Sequence, residues 1–188
     1  MNLNIEIQNS LSILKQGKTF VYPTDTVWGI GCDATSEKAV ETIFNIKQRS
    51  ESKSLIILVS SFVMLNKYVE VISENVKNIL ESSKKPTTII YANPIGLARN
   101  VIANDNTVAI RIVKNDFCKS LIEQFGKPII STSANISEEP TPKSYDEIST
   151  HILDSVDYVV NLHREEVNDK SSTILKVAEN GEVIVLRK

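Results

Sequence analysis

Apolar residues recur along this chain in two rhythms, and the changes of rhythm mark out its elements. Over residues 4–16, Ile5, Leu11, Ile13 and Leu14 fall on a roughly helical stripe, and Gly17 offers a stop. Residues 19–22 read as a strand that ends at Pro23. Ser36 is placed to cap a helix reaching Gln48, with Ala39, Val40, Ile43, Phe44 and Ile46 as its apolar positions. Residues 55–59 are apolar without alternation, the pattern of a strand covered on both faces and so central in a sheet. Helices are predicted over 62–68 and 74–83, the second capped by Ser73, and strands over 87–91 and 107–113. Asn115 caps a helix over 116–125 that Gly126 ends, and Pro128-Ile129-Ile130 enters a short strand running into Ser131-Thr132-Ser133-Ala134-Asn135. Capping-box spacing at Ser144 and Glu147 predicts a helix to about Leu153, followed by a strand over 157–161. Two β runs, 172–177 and 182–187, form a hairpin across Asn180-Gly181. Helices and strands alternate throughout, but the hairpin and the short connections exclude a purely parallel, doubly wound sheet. The expectation is an α/β fold, a single domain over 1–188, with one mixed sheet and helices packed on it.

Composition narrows the function classes. The 188 residues are 41% hydrophobic, enough for a substantial core. With 21 basic and 23 acidic residues the formal net charge is −2, so no field over the whole protein favours nucleic acid and any polyanion site must be local. The two cysteines lack C-x-x-C spacing and there are only two histidines, so a protein-held metal site is not expected. Polar residues run through the first fifteen positions, unlike a signal peptide, and the longest apolar run is far too short to span a bilayer. The chain reads as cytoplasmic, with no membrane association.

The candidate chemistry centres on Tyr22-Pro23-Thr24-Asp25-Thr26-Val27-Trp28-Gly29-Ile30-Gly31-Cys32-Asp33. In an extended segment Thr24 and Thr26 would face one side and Asp25 the other. The glycines suit a close backbone approach or a positive φ. A structural turn accounts for the proline and glycines but does not need the Thr-Asp-Thr triplet, so turn and binding loop both stay open. Lys47, Arg49 and Lys53 follow a predicted helix, where a solvated face offsetting the helix dipole is the plainer reading. Arg111 weighs against it. Inside an apolar strand it requires an anionic partner or a polar cavity, because an unpaired buried ion costs several kcal/mol, on the order given for such groups. Ser131, Ser133 and Asn135 alternate after a strand and would place hydroxyl and amide groups on one side, although a Ser/Asn-rich turn reads the same way. There is no G-x-x-x-x-G-K-[ST], no G-x-G-x-x-G opening a helix and no G-x-S-x-G.

Taken together, the 22–33 stretch, Lys47-Gln48-Arg49 with Lys53-Ser54-Leu55, Val108-Ala109-Ile110-Arg111, Ser131 to Asn135 and Ser172-Thr173-Ile174 resemble the YrdC/TsaC family of threonylcarbamoyl-AMP synthases. Order and spacing agree from about residue 8 to 188. The resemblance implies a twisted mixed sheet with a basic concave cavity, and a nucleotidyltransferase. Its reaction joins L-threonine, bicarbonate and ATP into L-threonylcarbamoyladenylate and releases pyrophosphate, with Mg2+ held mainly through phosphates. Partner proteins would pass the threonylcarbamoyl group to tRNA beside the anticodon, with possible tRNA contact. By the same resemblance Lys47 and Arg49 are catalytic, and Arg49, Lys53, Ser133, Asn135, Thr141 and Arg187 bind ATP. Thr26, Arg111, Ser131 and Ser172 then hold threonine. A non-catalytic RNA-binding module using the same cleft is the alternative. Lys84-Lys85-Pro86 replaces a usual Pro-Gly-Pro, Trp28 a usual tyrosine and Ser137-Glu138-Glu139 a commoner Ser-Gly. The second, C-terminal domain of longer members is not expected.

Overall fold

The computed structural model describes residues 2–49, 55–178 and 182–188. The chain opens with α1 (Leu3–Lys15), whose Asn2 side chain caps the Asn4 amide. Its buried apolar positions are Ile7, Leu11 and Leu14, spaced i, i+4 and i+7, whereas Ile5 is exposed and Ile13 only partly covered. The predicted stripe was therefore shifted by the choice of Ile5. Next come β1 (Phe20–Tyr22), β2 (Gly29–Gly31), α2 (Glu37–Ile46), β3 (Ile56–Val59), α3 (Phe62–Leu65) and α4 (Glu74–Ser82). Ser36, Ser61 and Ser73 each accept a backbone N–H at the start of their helices.

The second half holds β4 (Thr87–Ala92), β5 (Thr107–Ile112), α5 (Asp116–Phe125), β6 (Ile129–Ser133), α6 (Thr150–Ser155), β7 (Tyr158–Val159), β8 (Thr173–Val177) and β9 (Val183–Arg187). Asn115 caps α5, and Gly126 ends it at φ +75°, a left-handed conformation that suits glycine. Ser144 does not start a long helix. It precedes a single 3-10 turn, Tyr145–Glu147, and a fresh cap at Ser149 begins α6. Glu147 instead accepts the Lys143 amide, so the side chain expected to close a capping box is used upstream of the turn.

Among the described residues nine strands join one mixed sheet in the order β7-β1-β2-β6-β3-β5-β4-β8-β9. The uniformly apolar β3 is its middle strand, parallel to β5 and antiparallel to β6. The terminal hairpin pairs β8 with β9 antiparallel, and its predicted Asn180-Gly181 turn lies outside the described residues. No local pattern predicts β2, because two of its three residues are glycine. Packing explains them: a Cβ at Gly31 would sit 2.6 Å from the Ile130 carbonyl oxygen and 2.6 Å from the Tyr22 ring. Gly31 thus serves close approach, without a positive φ.

Register separates the two faces of the sheet. Ile56, Ala109 and Ser131 are paired across β3, β5 and β6, and Arg111 pairs with Thr88, which in turn pairs with Ile174. Paired residues share a face, so small and polar side chains collect on one side. The intervening positions, Ile57, Ile89, Ile110 and Ile130, are buried in the core.

Candidate functional site

The polar face of the sheet floors a cavity of about 480 Å³. The 23–28 loop forms one wall, Arg49 another, and the start of β8 with the end of β9 a third. Of the residues singled out from sequence, Thr26, Arg49, Arg111, Ser131, Ser133, Thr141, Ser172 and Arg187 line it. Lys47 and Asn135 do not, and Lys53 lies outside the described residues.

The loop does not stay extended. Thr24 Oγ1 accepts the Thr26 amide at 2.9 Å and donates to the Val27 carbonyl at 2.8 Å, a side-chain turn that bends the chain. The two threonine hydroxyls lie 2.9 Å apart. Because the single Thr24 proton goes to Val27, Thr26 must donate in that contact. Arg111, 2% exposed, donates from Nη2 to Thr26 Oγ1 at 3.3 Å. The bend brings Asp25 to the same guanidinium. Its Oδ1 stands 3.0 Å from Arg111 Nη2 in an ion pair whose geometry falls short of a hydrogen bond, while Oδ2 accepts the Lys114 amide. The expectation that Asp25 faces away from the threonines is thereby corrected, since the turn overrides the strand alternation. Asp25 is also the functional residue that sequence reasoning passed over. The requirement of Arg111 for an anionic partner was the signal for it, and both outcomes foreseen for Arg111, a partner and a cavity, are present.

Arg187 reaches the rim through an irregularity of the strand. The β8–β9 register shifts between Ile174 and Leu175, which leaves Leu186 as an extra residue and turns both Leu186 and Arg187 toward the cavity. Arg187 donates from Nε to the Ser172 carbonyl and from Nη2 to Ser172 Oγ, each at 3.0 Å. Ser172 Oγ also accepts from Thr88 Oγ1 at 2.9 Å. Loss of water and then the charge of Arg111 lower the pKa of Arg187, and loss of water lowers that of Arg49. Arg49, Arg111 and Arg187 thus line one cavity, and the charge of Arg111 acts on Arg187, so an anionic ligand offsets that repulsion.

Lys47, expected to be catalytic, is not among the lining residues. It is 1% exposed, and its Nζ donates to the carbonyls of Ser133 at 2.5 Å and Asn135 at 2.6 Å. The Lys47 carbonyl accepts the Ser137 amide at 2.8 Å, so the residue ties the end of β6 to the following loop from both ends. Burial, then the nearby Arg49 charge, lower its pKa to about 7. Asn135, expected to bind ATP, is likewise not among the lining residues, and its Nδ2 donates to the carbonyls of Ile136 and Glu139. Trp28 lines the cavity against Tyr145, whose ring carries Arg164 on it at 4.2 Å. Among the described residues no group of three or more His, Cys, Asp or Glu side chains could hold a metal ion, and no helix is long and apolar enough to cross a membrane.

Comparison with known proteins agrees with this geometry. A family model described as telomere recombination, covering Sua5, YciO and YrdC proteins, matches residues 12–188. A threonylcarbamoyl-AMP synthase from Pseudoalteromonas translucida is 32% identical over 182 residues, covering 94% of this chain and 95% of its own. Among solved structures, P. abyssi Sua5 complexed with L-threonine superposes with a TM-score of 0.86 at 27% identity over 96% of this chain, which spans only 53% of that one. E. coli YciO superposes at 0.85 with 21% identity, a likeness of fold.

Proposed function

The chain belongs to the Sua5, YciO and YrdC family, and from that premise we propose that its cleft makes L-threonylcarbamoyladenylate from L-threonine, bicarbonate and ATP. The observation that carries this reading is the convergence of Arg49, Arg111 and Arg187 with the hydroxyls of Thr26, Ser131 and Ser133 in one small cavity. Such a cavity suits a compact anion bearing carboxylate, phosphate and ribose. A polynucleotide needs an extended basic surface, so the RNA-binding alternative finds no support.

The neutral amine of threonine takes up CO2 from bicarbonate to give a carbamate. A carbamate oxygen then attacks the α-phosphorus of ATP, the bond to the bridging oxygen breaks, and pyrophosphate leaves. Two anions must meet, and the arginines offset their repulsion while holding the reactants in line. Arg111 takes the threonine carboxylate, with Asp25 fixing its guanidinium. Thr26 has given its proton to Thr24 and accepts from Arg111, so its remaining lone pair receives an N–H or O–H from threonine. Arg49 and Arg187 meet phosphates, Ser131 and Ser133 line the join between amino acid and nucleotide, and Ser172 positions Arg187. Lys47 is a positioning residue that fixes the carbonyls beside Ser133. Magnesium enters as part of the nucleotide substrate, with phosphate oxygens and water as its ligands.

The product would then pass to proteins that transfer the threonylcarbamoyl group to tRNA. Two buried free cysteines accord with a cytoplasmic location. Purified protein with MgATP should release pyrophosphate only when L-threonine and bicarbonate are both present. Absence of any threonine-dependent pyrophosphate or adenylate would overturn the assignment.

A further inference from the structure

Strand β9 is the last strand of the sheet among the described residues, and Val183, Ile184, Val185 and Leu186 are all exposed along it. Val185 alone leaves 49% of its surface in water. An apolar edge strand with free N–H and C=O groups is a template for another strand and is normally covered, twisted away or charged. The Ala178 amide donates to the Glu182 carbonyl, which fixes the phase of the β8–β9 ladder and turns the backbone groups of Val183 and Val185 outward. Among the described residues no strand pairs with this edge, and the bulge lies at its far end.

The order of charges identifies the occupant. Glu182 precedes the four apolar residues, and Lys188 follows them beyond Arg187, whose side chain is held in the cleft by Ser172. Two copies of the strand laid antiparallel bring the acidic end of each against the basic end of the other, with apolar residues in register between. A strand bearing one sign of charge would be repelled at one end. The net charge of −2 adds little repulsion between copies.

We propose that β9 pairs with β9 of a second copy of this chain, antiparallel about a two-fold axis, joining two nine-stranded sheets into one. The inference is independent of the reaction assigned to the cleft. Sedimentation velocity over the micromolar to sub-millimolar range tests it. Wild-type protein should show a concentration-dependent monomer–dimer equilibrium. Val185→Lys should shift it at least tenfold toward monomer while keeping the wild-type circular dichroism and melting temperature, since that side chain is outside the core and the cleft. Glu182→Lys and Lys188→Glu should each weaken the dimer, and the double variant should restore it. Wild-type protein that stays monomeric throughout, a dimer indifferent to Val185→Lys, or a double variant no better than the singles would overturn the proposal.

Discussion

In the proposed function Lys47 serves the cleft as a positioning residue, without touching ligand. Its ammonium supplies two carbonyls that end β6, and these set the positions of the residues around Ser133. Lys47→Met should therefore lower kcat by roughly 10- to 100-fold, the cost of misplacing a reacting geometry by about an ångström, with ATP affinity little changed. Titration calorimetry beside steady-state kinetics separates this from direct phosphate binding, which would weaken ATP instead. The same residue carries a pH signature. Its pKa in the fold, about 7, lies below the ordinary 10.5, so between these values the unfolded chain holds a proton that the folded one has lost. Stability from this group thus rises with pH across that window, and below it the cost of burying the charge is fully present. Melting temperatures of wild type and Lys47→Met, compared from about pH 7 toward 10.5, should diverge in favour of wild type. Thr26→Val removes both the acceptor presented to threonine and the proton given to Thr24. Threonine affinity should fall about tenfold, the worth of one hydrogen bond, while ATP affinity holds; loss of ATP affinity alone would place Thr26 at the wrong end of the site.

Elements set these residues in place, and they differ in how openly the sequence announces them. The capped helices α2, α4 and α5 start where Ser36, Ser73 and Asn115 predict, because a cap is a local hydrogen bond that needs no distant partner. Strand β3 was legible from its apolar run alone. Strand β2 was not, since Gly-Ile-Gly carries no β propensity and exists as a strand only because β1 and β6 pair with it on either side. Gly31→Ala should accordingly cost about 1–3 kcal/mol, the range for overpacking a filled core, measured by chemical denaturation. Ser144 erred the other way: its motif satisfied a local rule, but the following turn closes after one cycle and Ser149 starts the helix afresh.

At the scale of the whole molecule, a chain of net charge −2 keeps a locally cationic cleft because the segment after α2, strand β5 and strand β9 each bring one arginine to the cavity. A ligand that bridges these elements stabilises all of them at once. MgATP and L-threonine with bicarbonate should raise the melting temperature together by more than either substrate alone, through linkage of binding to folding; thermal shift measurements check this, and equal shifts with and without threonine would contradict a shared site. The sequence by itself determined the element types apart from β2 and the turn after Ser144, the central strand, the terminal hairpin and the set of motifs that mark the family, because periodicity, caps and turn residues act over a few neighbours. Tertiary structure alone decided that Asp25 pairs with Arg111, that Lys47 Nζ is taken by the carbonyls of Ser133 and Asn135, and that a bulge brings Arg187 to the cavity. The contacts of Arg111 and Lys47 join residues 85 to 88 apart in the chain, and partners so distant leave no local trace.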